Sequence, residues 1–176
     1  MDMIIKEAAN RGIKAHCFNS LIIEKLRTTE KSSLACIDEI FKNKRNRDHR
    51  LFQCQFVLCP INKDAHWTLL VVKPQTNAIE HYDSLGGDPQ SDVISSVLEL
   101  LCYAHVAEFN VPLDVNNWVS VKFKNIPLQG NSHDCGVFLC MFAKYVTLGK
   151  TIDFNQGDMA FFRSQMIREI ASGSLI

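Results

Sequence analysis

HWTLLVVKPQTNAIEHYDS, residues 66–84, predicts two adjacent strands of a sheet. Residues 66–74 and 78–84 are short, rich in β-branched and aromatic side chains, and separated by turn residues. The preceding stretch QFVLCPI (55–61) has the same character, and WVSVKFKNI (118–126) alternates apolar and polar residues. We therefore expect consecutive strands of one sheet.

Apolar residues at helical spacing lie on both sides of these strands. Helices are predicted at 2–10 with a stop at Gly12, and at 18–26, 32–43, 88–106, 132–148 and 155–171. Asp88 is the predicted N-cap of the fourth helix, with Pro89 at its first helical position. The predicted buried stripe of the last helix is Met159, Phe162, Met166 and Ile170. The expected fold is α+β, a mixed sheet between helices in a single domain over residues 1–176.

The composition is that of a globular protein. Of 176 residues, 47% are apolar and 22% charged, and 19 basic side chains balance 19 acidic ones. We therefore expect neither direct nucleic-acid binding nor membrane binding, although the segment 41–50 is locally basic. Seven cysteines form no CxxC pair, and no secretion signal or membrane-spanning run occurs, so a reducing intracellular compartment is predicted.

Cys135 stands at the front of an apolar run, in NSHDCGVFLCMFAKYV (131–146). Ser132, His133 or Asp134 could each cap the helix, which would put Cys135 in its first turn. A helix N-terminus favours a thiolate because its N–H groups are unpaired. The thiol could be a nucleophile, a small core side chain or a metal ligand.

A nucleophilic thiol needs a base and an orienting acceptor. His66 opens one predicted strand and Asp83 ends the next, so an antiparallel hairpin would make the two side chains neighbours. Asp83 could instead be a turn residue before Gly86 and Gly87. Zinc binding through His133 and Cys135, or through Cys54 and Cys59, is the other alternative, but neither pair has the usual ligand spacing.

Five blocks resemble the ubiquitin-like-protein proteases of the Ulp/SENP type, the cysteine peptidases that process and remove SUMO. They are HCFNSLIIEKL (16–26), PINKDAHW (60–67), YDSLGG (82–87), QGNSHDCG (129–136) and IDFNQGDMAFFRSQM (152–166). They occur in order across nearly all of the chain, and the last block favours the SUMO branch over the branch acting on NEDD8.

The resemblance implies a papain-like fold with a permuted order of catalytic residues. It makes His66 the general base, Asp83 its orienting acceptor and Cys135 the nucleophile. Gln129 would donate to the oxyanion together with the backbone N–H of Cys135. No metal and no cofactor is implied.

The resemblance also implies a narrow tunnel for the Gly-Gly tail of the modifier. Trp67 would cover this tunnel, and Asn62 and Gly136 are the other implied substrate-binding residues. Asn62 is a departure, because close relatives often carry a histidine there. A second departure is that the chain is expected to lack the family's N-terminal segment, whose Trp-Leu-Asn-Asp block supplies the opposite tunnel wall.

The expected function is a thiol protease or isopeptidase that cleaves after the C-terminal Gly-Gly of a SUMO-like modifier. The alternatives are a NEDD8-type deconjugase and a binding module without turnover. The expected partners are a SUMO-like modifier and its conjugates. The chain is expected to be a monomer in the nucleus or cytoplasm, with the nucleus favoured by the resemblance.

Overall fold

The computed structural model describes residues 1–28, 34–42 and 50–176. The helices in these ranges are α1 (Asp2–Asn10), α2 (Ser20–Thr28), α3 (Leu34–Lys42), α4 (Ser91–Phe109), α5 (Cys135–Thr147) and α6 (Met159–Ser172). The strands are β1 (Ala15–Cys17), β2 (Phe56–Lys63), β3 (His66–Lys73), β4 (Ala78–Tyr82) and β5 (Val119–Lys122). The ends of the predicted helix 32–43 and most of the basic segment 41–50 lie outside the described residues.

The five strands form one mixed sheet in chain order, from β1 to β5. The central strands β2, β3 and β4 pair antiparallel, whereas β1 pairs parallel to β2 and β5 pairs parallel to β4. The predicted hairpin between 66–74 and 78–84 is therefore confirmed, with Leu69 opposite Tyr82. Sequence patterning missed β1, because three residues are too few to show an alternation.

Each face of the sheet carries its own apolar core, because side chains alternate along a strand. Leu70 and Val72 face the core built with α2, α3 and α4. Leu69 and Val71 face the other core, built with α1, α5 and α6. Helix α5 was predicted to be apolar on most faces, and it is buried along most of its length.

A two-residue turn joins β2 to β3 and places His66. Asp64 and Ala65 have φ values of 52° and 60°, and His66 lies opposite Lys63 in the ladder. Positive φ at both turn residues matches the twist of a tight hairpin. The turn therefore fixes where β3 begins and on which edge of the sheet His66 stands.

Two predicted helix details are wrong. Helix α4 begins at Ser91, after Gln90, so Asp88 is not its N-cap and Pro89 is not its first residue. The Asp88 carboxylate instead accepts a hydrogen bond from Lys122 at 2.9 Å. This pairing holds the β4–α4 connection against β5, and the helix starts only beyond it.

The predicted stripe of the last helix is wrong at its end. Met159 and Phe162 are buried, but Ile170 is 70% exposed. Glu169 is buried in its place because it pairs with Lys144 of α5 at 2.6 Å. An ion pair has thus replaced an apolar contact, which a hydrophobic pattern cannot show.

None of the helices in the described ranges combines the length and the apolar character that crossing a membrane requires.

Candidate active site

His66 and Asp83 form a close pair at the edge of the sheet. The His66 Nε2 atom lies 2.6 Å from Asp83 Oδ1. The Asp83 residue is 8% exposed, and the side chain of His66 is 22% exposed. The proximity predicted from the hairpin is confirmed, and it leaves the Nδ1 atom of His66 as the nitrogen that can face another group.

Asp83 is also a turn residue. Its Oδ1 atom accepts from the backbone N–H of Leu85 at 2.8 Å, and its Oδ2 atom accepts from Gly87 N–H at 2.9 Å. Burial by itself would raise the pKa of Asp83, but the hydrogen bond from His66 and the two backbone donors outweigh it and lower the pKa. The two readings of Asp83, turn residue and histidine partner, are therefore both correct.

Gly87 is required at this turn for steric reasons. A Cβ atom added at Gly87 would lie 2.5 Å from Asp83 Oδ2, which is far inside van der Waals contact. Any side chain at this position would displace the carboxylate that accepts from His66.

Cys135 is the first residue of α5, and it is 6% exposed. The backbone carbonyl of Asp134 accepts from Val137 and Phe138 at 2.9 and 3.0 Å, so the helix starts at this point rather than at 132. The first backbone N–H groups of a helix have no partner within it. Cys135 therefore sits where unpaired donors favour negative charge.

Trp67 brings the start of β3 to the start of α5. A Cβ atom placed on Gly136 would lie 3.8 Å from the Trp67 Cδ1 atom, so the indole covers the residue that follows Cys135. Asn62 is directly opposite Trp67 in the ladder between β2 and β3. The three residues predicted to bind substrate thus lie next to one another. Because Trp67 follows His66 and Gly136 follows Cys135, the contact between Trp67 and Gly136 brings the start of β3 close to the start of α5.

Gln129 is held at the end of β4 by Ser84. The backbone N–H of Gln129 donates to the Ser84 carbonyl at 2.8 Å, and the Ser84 hydroxyl donates to Gln129 Oε1 at 2.6 Å. The Gln129 Nε2 atom donates to the Asn131 carbonyl at 2.5 Å. Ser84 is 1% exposed, and sequence reasoning missed it although it directly follows Asp83.

Asp134 is the N-cap residue of α5, but its carboxylate makes no capping bond to the helix. The carboxylate accepts instead from Asn131 at 2.7 Å, from Gln156 at 2.8 Å and from Arg163 at 2.6 Å. The hydrogen bond from Asn131, together with those from Arg163 and Gln156, lowers the pKa of Asp134 to about 2. Asp134 is therefore a buried anion beside Cys135.

Burial makes four other thiols poor candidates for a thiolate. It raises the pKa of Cys54 to about 11 and raises the pKa values of Cys59, Cys102 and Cys140 above their ordinary range. Within residues 1–28, 34–42 and 50–176, no group of three or more His, Cys, Asp or Glu side chains could hold a metal ion.

The family model for the Ulp1 protease family, C-terminal catalytic domain, matches residues 2–174. The chain belongs to this family. The predicted resemblance is thereby confirmed.

Among curated relatives, sentrin-specific protease 2 of Mus musculus is 27% identical over 179 residues, which is 100% of this chain and 29% of that protein. The ubiquitin-like-specific protease ESD4 of Arabidopsis thaliana is 25% identical over 172 residues, or 95% of this chain and 35% of that protein. The chain thus spans about a third of the length of these relatives.

Solved structures of the family have the same fold. The Ulp1-like SUMO protease catalytic domain of Chaetomium thermophilum is 23% identical and covers 98% of this chain and 67% of its own, with a TM-score of 0.78. The C-terminal Ulp1 protease domain in complex with Smt3, the yeast ortholog of SUMO, is 20% identical and covers 96% of this chain and 73% of its own, with a TM-score of 0.72. The predicted α+β protease fold is confirmed.

Proposed function

We propose that the chain is a cysteine peptidase that cleaves after the C-terminal Gly-Gly of a SUMO-like modifier. The observation that carries this proposal is the His66–Asp83 pair at 2.6 Å, beside a helix that begins at Cys135. A base, its orienting acceptor and a thiol at a helix N-terminus are the parts that thiol acyl transfer needs. The sentrin and SUMO names of the relatives support this modifier over NEDD8.

In the proposed mechanism, His66 takes the proton of the Cys135 thiol, and the resulting thiolate attacks the carbonyl carbon of the terminal glycine. The oxyanion that forms accepts from the Cys135 backbone N–H and from Gln129 Nε2, whose NH₂ group keeps one hydrogen after the bond to Asn131. Protonated His66 then gives its proton to the leaving amine, and a thioester remains on Cys135.

Water completes the reaction. His66, now neutral, takes a proton from the water that attacks the thioester, which releases the modifier with a free carboxylate and restores the thiol. Asp83 stays ionised throughout, because its lowered pKa keeps it charged near neutral pH, and it orients the imidazole. Both half-reactions use the same four groups.

The tail of the modifier would lie between Trp67 and the loop before α5. Trp67 already lies over Gly136, which has no side chain of its own, and Asn62 stands beside the indole. A tail without side chains passes under such a cover, whereas a bulkier residue would clash. This geometry supports a Gly-Gly tail as the preferred substrate end.

The test is a panel of SUMO, NEDD8 and ubiquitin, each carrying a C-terminal electrophile. We expect SUMO to form a covalent adduct at Cys135, located by mass spectrometry, because Cys135 lies at a helix N-terminus and burial raises the pKa values of Cys54, Cys59, Cys102 and Cys140. Cys135→Ala should abolish the adduct, and Cys140→Ala, a matched change in the same helix, should not. Labelling of another cysteine would refute the proposal, and so would an adduct with the NEDD8 probe but none with the SUMO probe.

Turnover separates the peptidase from a binding module. A SUMO precursor and a SUMO-linked isopeptide should both be cleaved, and cleavage should be lost in Cys135→Ala. Binding of SUMO without cleavage of either substrate would favour the binding module instead. An intracellular, nuclear location and a monomeric state stay predictions, which imaging and sedimentation would test.

A further inference from the structure

The loop formed by residues 129–134, here called the nucleophile loop, connects the two groups that would donate hydrogen bonds to the oxyanion. Gln129 stands at its start, and Cys135 follows its end. Its start is fixed to the sheet through Ser84. The rest of the loop is held by two side chains from later in the chain. Gln156 precedes α6, and Arg163 lies within it.

Gln156 joins both ends of the nucleophile loop. Its Oε1 atom accepts from the backbone N–H of Gly130 at 2.7 Å, and its Nε2 atom donates to Asp134 Oδ2 at 2.8 Å. One side chain therefore spans the neighbour of Gln129 and the neighbour of Cys135. A shift of either end would break one of the two bonds.

Arg163 holds the end of the nucleophile loop with three hydrogen bonds. Its Nη2 atom donates to Asp134 Oδ1 at 2.6 Å and to the His133 carbonyl at 2.9 Å, and its Nε atom donates to Asp134 Oδ1 at 3.1 Å. The planar guanidinium thus binds the Asp134 carboxylate and the His133 carbonyl at the same time and fixes their relative orientation. Arg163 also places a cation against the buried anion that precedes the nucleophile.

We propose that Asp134, Gln156 and Arg163 are positioning residues for the reaction: they hold Gln129 and the N-terminus of α5 at the separation that the oxyanion requires. The inference rests on the proposed function. These three residues are here called the anchor. The Asp134 carboxylate makes no capping bond to α5 and accepts from Gln156 and Arg163 instead, and the residue is only 4% exposed. Gln156 and Arg163 act through the nucleophile loop and not on the substrate.

The experiment compares changes in the anchor with matched changes in the same region. Arg163→Gln and Gln156→Leu remove the anchor. Arg168→Gln makes the same change in charge on an exposed residue of α6, and Gln165→Leu removes a glutamine that bonds Glu169 rather than the loop. Steady-state kcat and KM are measured on a SUMO isopeptide substrate, at a temperature well below the Tm of every variant.

The anchor variants should lose kcat by roughly ten- to a hundredfold with little change in KM, because misplacing reacting groups slows the chemical step. The two control variants should stay within about twofold of the wild type, a spread that corresponds to less than 0.5 kcal/mol. Arg163→Lys keeps the charge but loses the planar set of N–H donors, so its kcat should lie between those of the wild type and Arg163→Gln. Equal kcat in Arg163→Gln and Arg168→Gln, or a loss confined to KM, would overturn the proposal.

A second readout needs no modifier. The rate at which iodoacetamide alkylates Cys135 is followed by mass spectrometry in the same five proteins and the wild type. If the wild type cleaves no SUMO substrate, the proposed function fails, and this rate still decides the positioning role. Slower alkylation in Arg163→Gln and Gln156→Leu than in their controls supports it, and equal rates refute it.

Discussion

Asp83 has three hydrogen-bond donors, and only one of them is a side chain. His66, the N–H of Leu85 and the N–H of Gly87 all point at its carboxylate. A charged oxygen pair can satisfy all three, whereas an amide in the same place has only one oxygen. The demand for a carboxylate therefore comes from the turn as well as from the imidazole.

Asp83→Asn should lower kcat roughly a hundredfold, because the imidazole loses the anion that orients it and stabilises its protonated form. The Tm should fall modestly at neutral pH. Because the folded pKa is lowered, the stability gained from the charge is present above the ordinary carboxyl pKa of about 3.9 and is lost as the pH falls through the folded pKa. Thermal melts between pH 3 and 7 should show the gap between wild type and variant closing at the acid end.

If the gap in Tm persisted unchanged at the lowest pH, shape rather than charge would be the contribution of Asp83. If kcat were unaffected while stability fell, Asp83 would be a turn residue only.

Gln129 needs two variants, because its side chain also satisfies buried Ser84. Gln129→Ala should lower kcat by roughly two to three orders of magnitude through loss of the oxyanion donor, with SUMO binding nearly intact. It should also lower stability, since the Ser84 hydroxyl loses its acceptor. Gln129→Glu keeps that acceptor but replaces the donor to the Asn131 carbonyl with an oxygen, so it should recover stability only in part and should not recover turnover.

Isothermal titration with SUMO and single-turnover cleavage measure the two effects separately. A parallel loss of binding and turnover in Gln129→Ala would assign Gln129 to substrate binding.

The turn between β2 and β3 contains a residue that is poorly suited to a tight hairpin. Ala65 has a φ of 60°, where an L-residue with a Cβ atom is strained, and tight hairpins favour glycine at this place. The strain lies directly before His66.

Ala65→Gly should raise the free energy of unfolding by a few tenths to about 1 kcal/mol, since glycine adopts this conformation without a steric cost. The same change at Ala107, an exposed position of α4, should instead lower it by about 0.5–1 kcal/mol. Urea titration gives both values. Destabilisation by Ala65→Gly comparable to that at Ala107 would show that the turn carries no strain.

The elements show where sequence patterning succeeds and where it fails. The strands 66–74 and 78–84 were predictable because their apolar and aromatic runs are bounded by turn residues, and their pairing placed His66 beside Asp83. The start of α4 was not predictable, since Asp88 and Pro89 have the chemistry of a helix start but Lys122, from a distant strand, engages Asp88. At both Asp88 and Glu169, a contact with a residue distant in sequence determined the local structure, and the sequence pattern of the helix could not show it.

The contact between α5 and the sheet could not be derived from the hydrophobic pattern of the sequence. The site needs Cys135 beside a hairpin that ends far earlier in the chain, and the link runs through Trp67 and Gly136. The anchor of the nucleophile loop comes from still later residues. These are long-range side-chain contacts, on which the periodicity of a single segment carries no information.

The far end of α5 is fixed by a buried ion pair. Lys144 Nζ lies 2.6 Å from Glu169 Oε1, and the two side chains are 7% and 5% exposed. Burial by itself would raise the pKa of Glu169, but the hydrogen bond from Lys144 and other donors lower it. The pair ties α5 to α6 at the end opposite to Cys135.

Glu169→Gln should destabilise the protein by about 3–5 kcal/mol, because it leaves the Lys144 charge buried without a counter-charge. Replacing both residues, as in Lys144→Met with Glu169→Leu, should restore stability close to that of the wild type. Glu7→Gln breaks a solvated pair with Arg11 and should leave the Tm almost unchanged. Equal shifts in Tm for Glu169→Gln and Glu7→Gln would contradict the assignment.

The order of the proposed catalytic groups along the chain matters during biosynthesis. His66 and Asp83 belong to one hairpin and meet through local pairing, so a ribosome-bound chain can complete this half of the site while Cys135 is still unmade. The Cys135 thiol therefore leaves the ribosome without an activating group beside it. It comes close to His66 and Asp83 only when α5 packs on the finished sheet. Proteolytic competence should therefore be the last property that the nascent chain acquires.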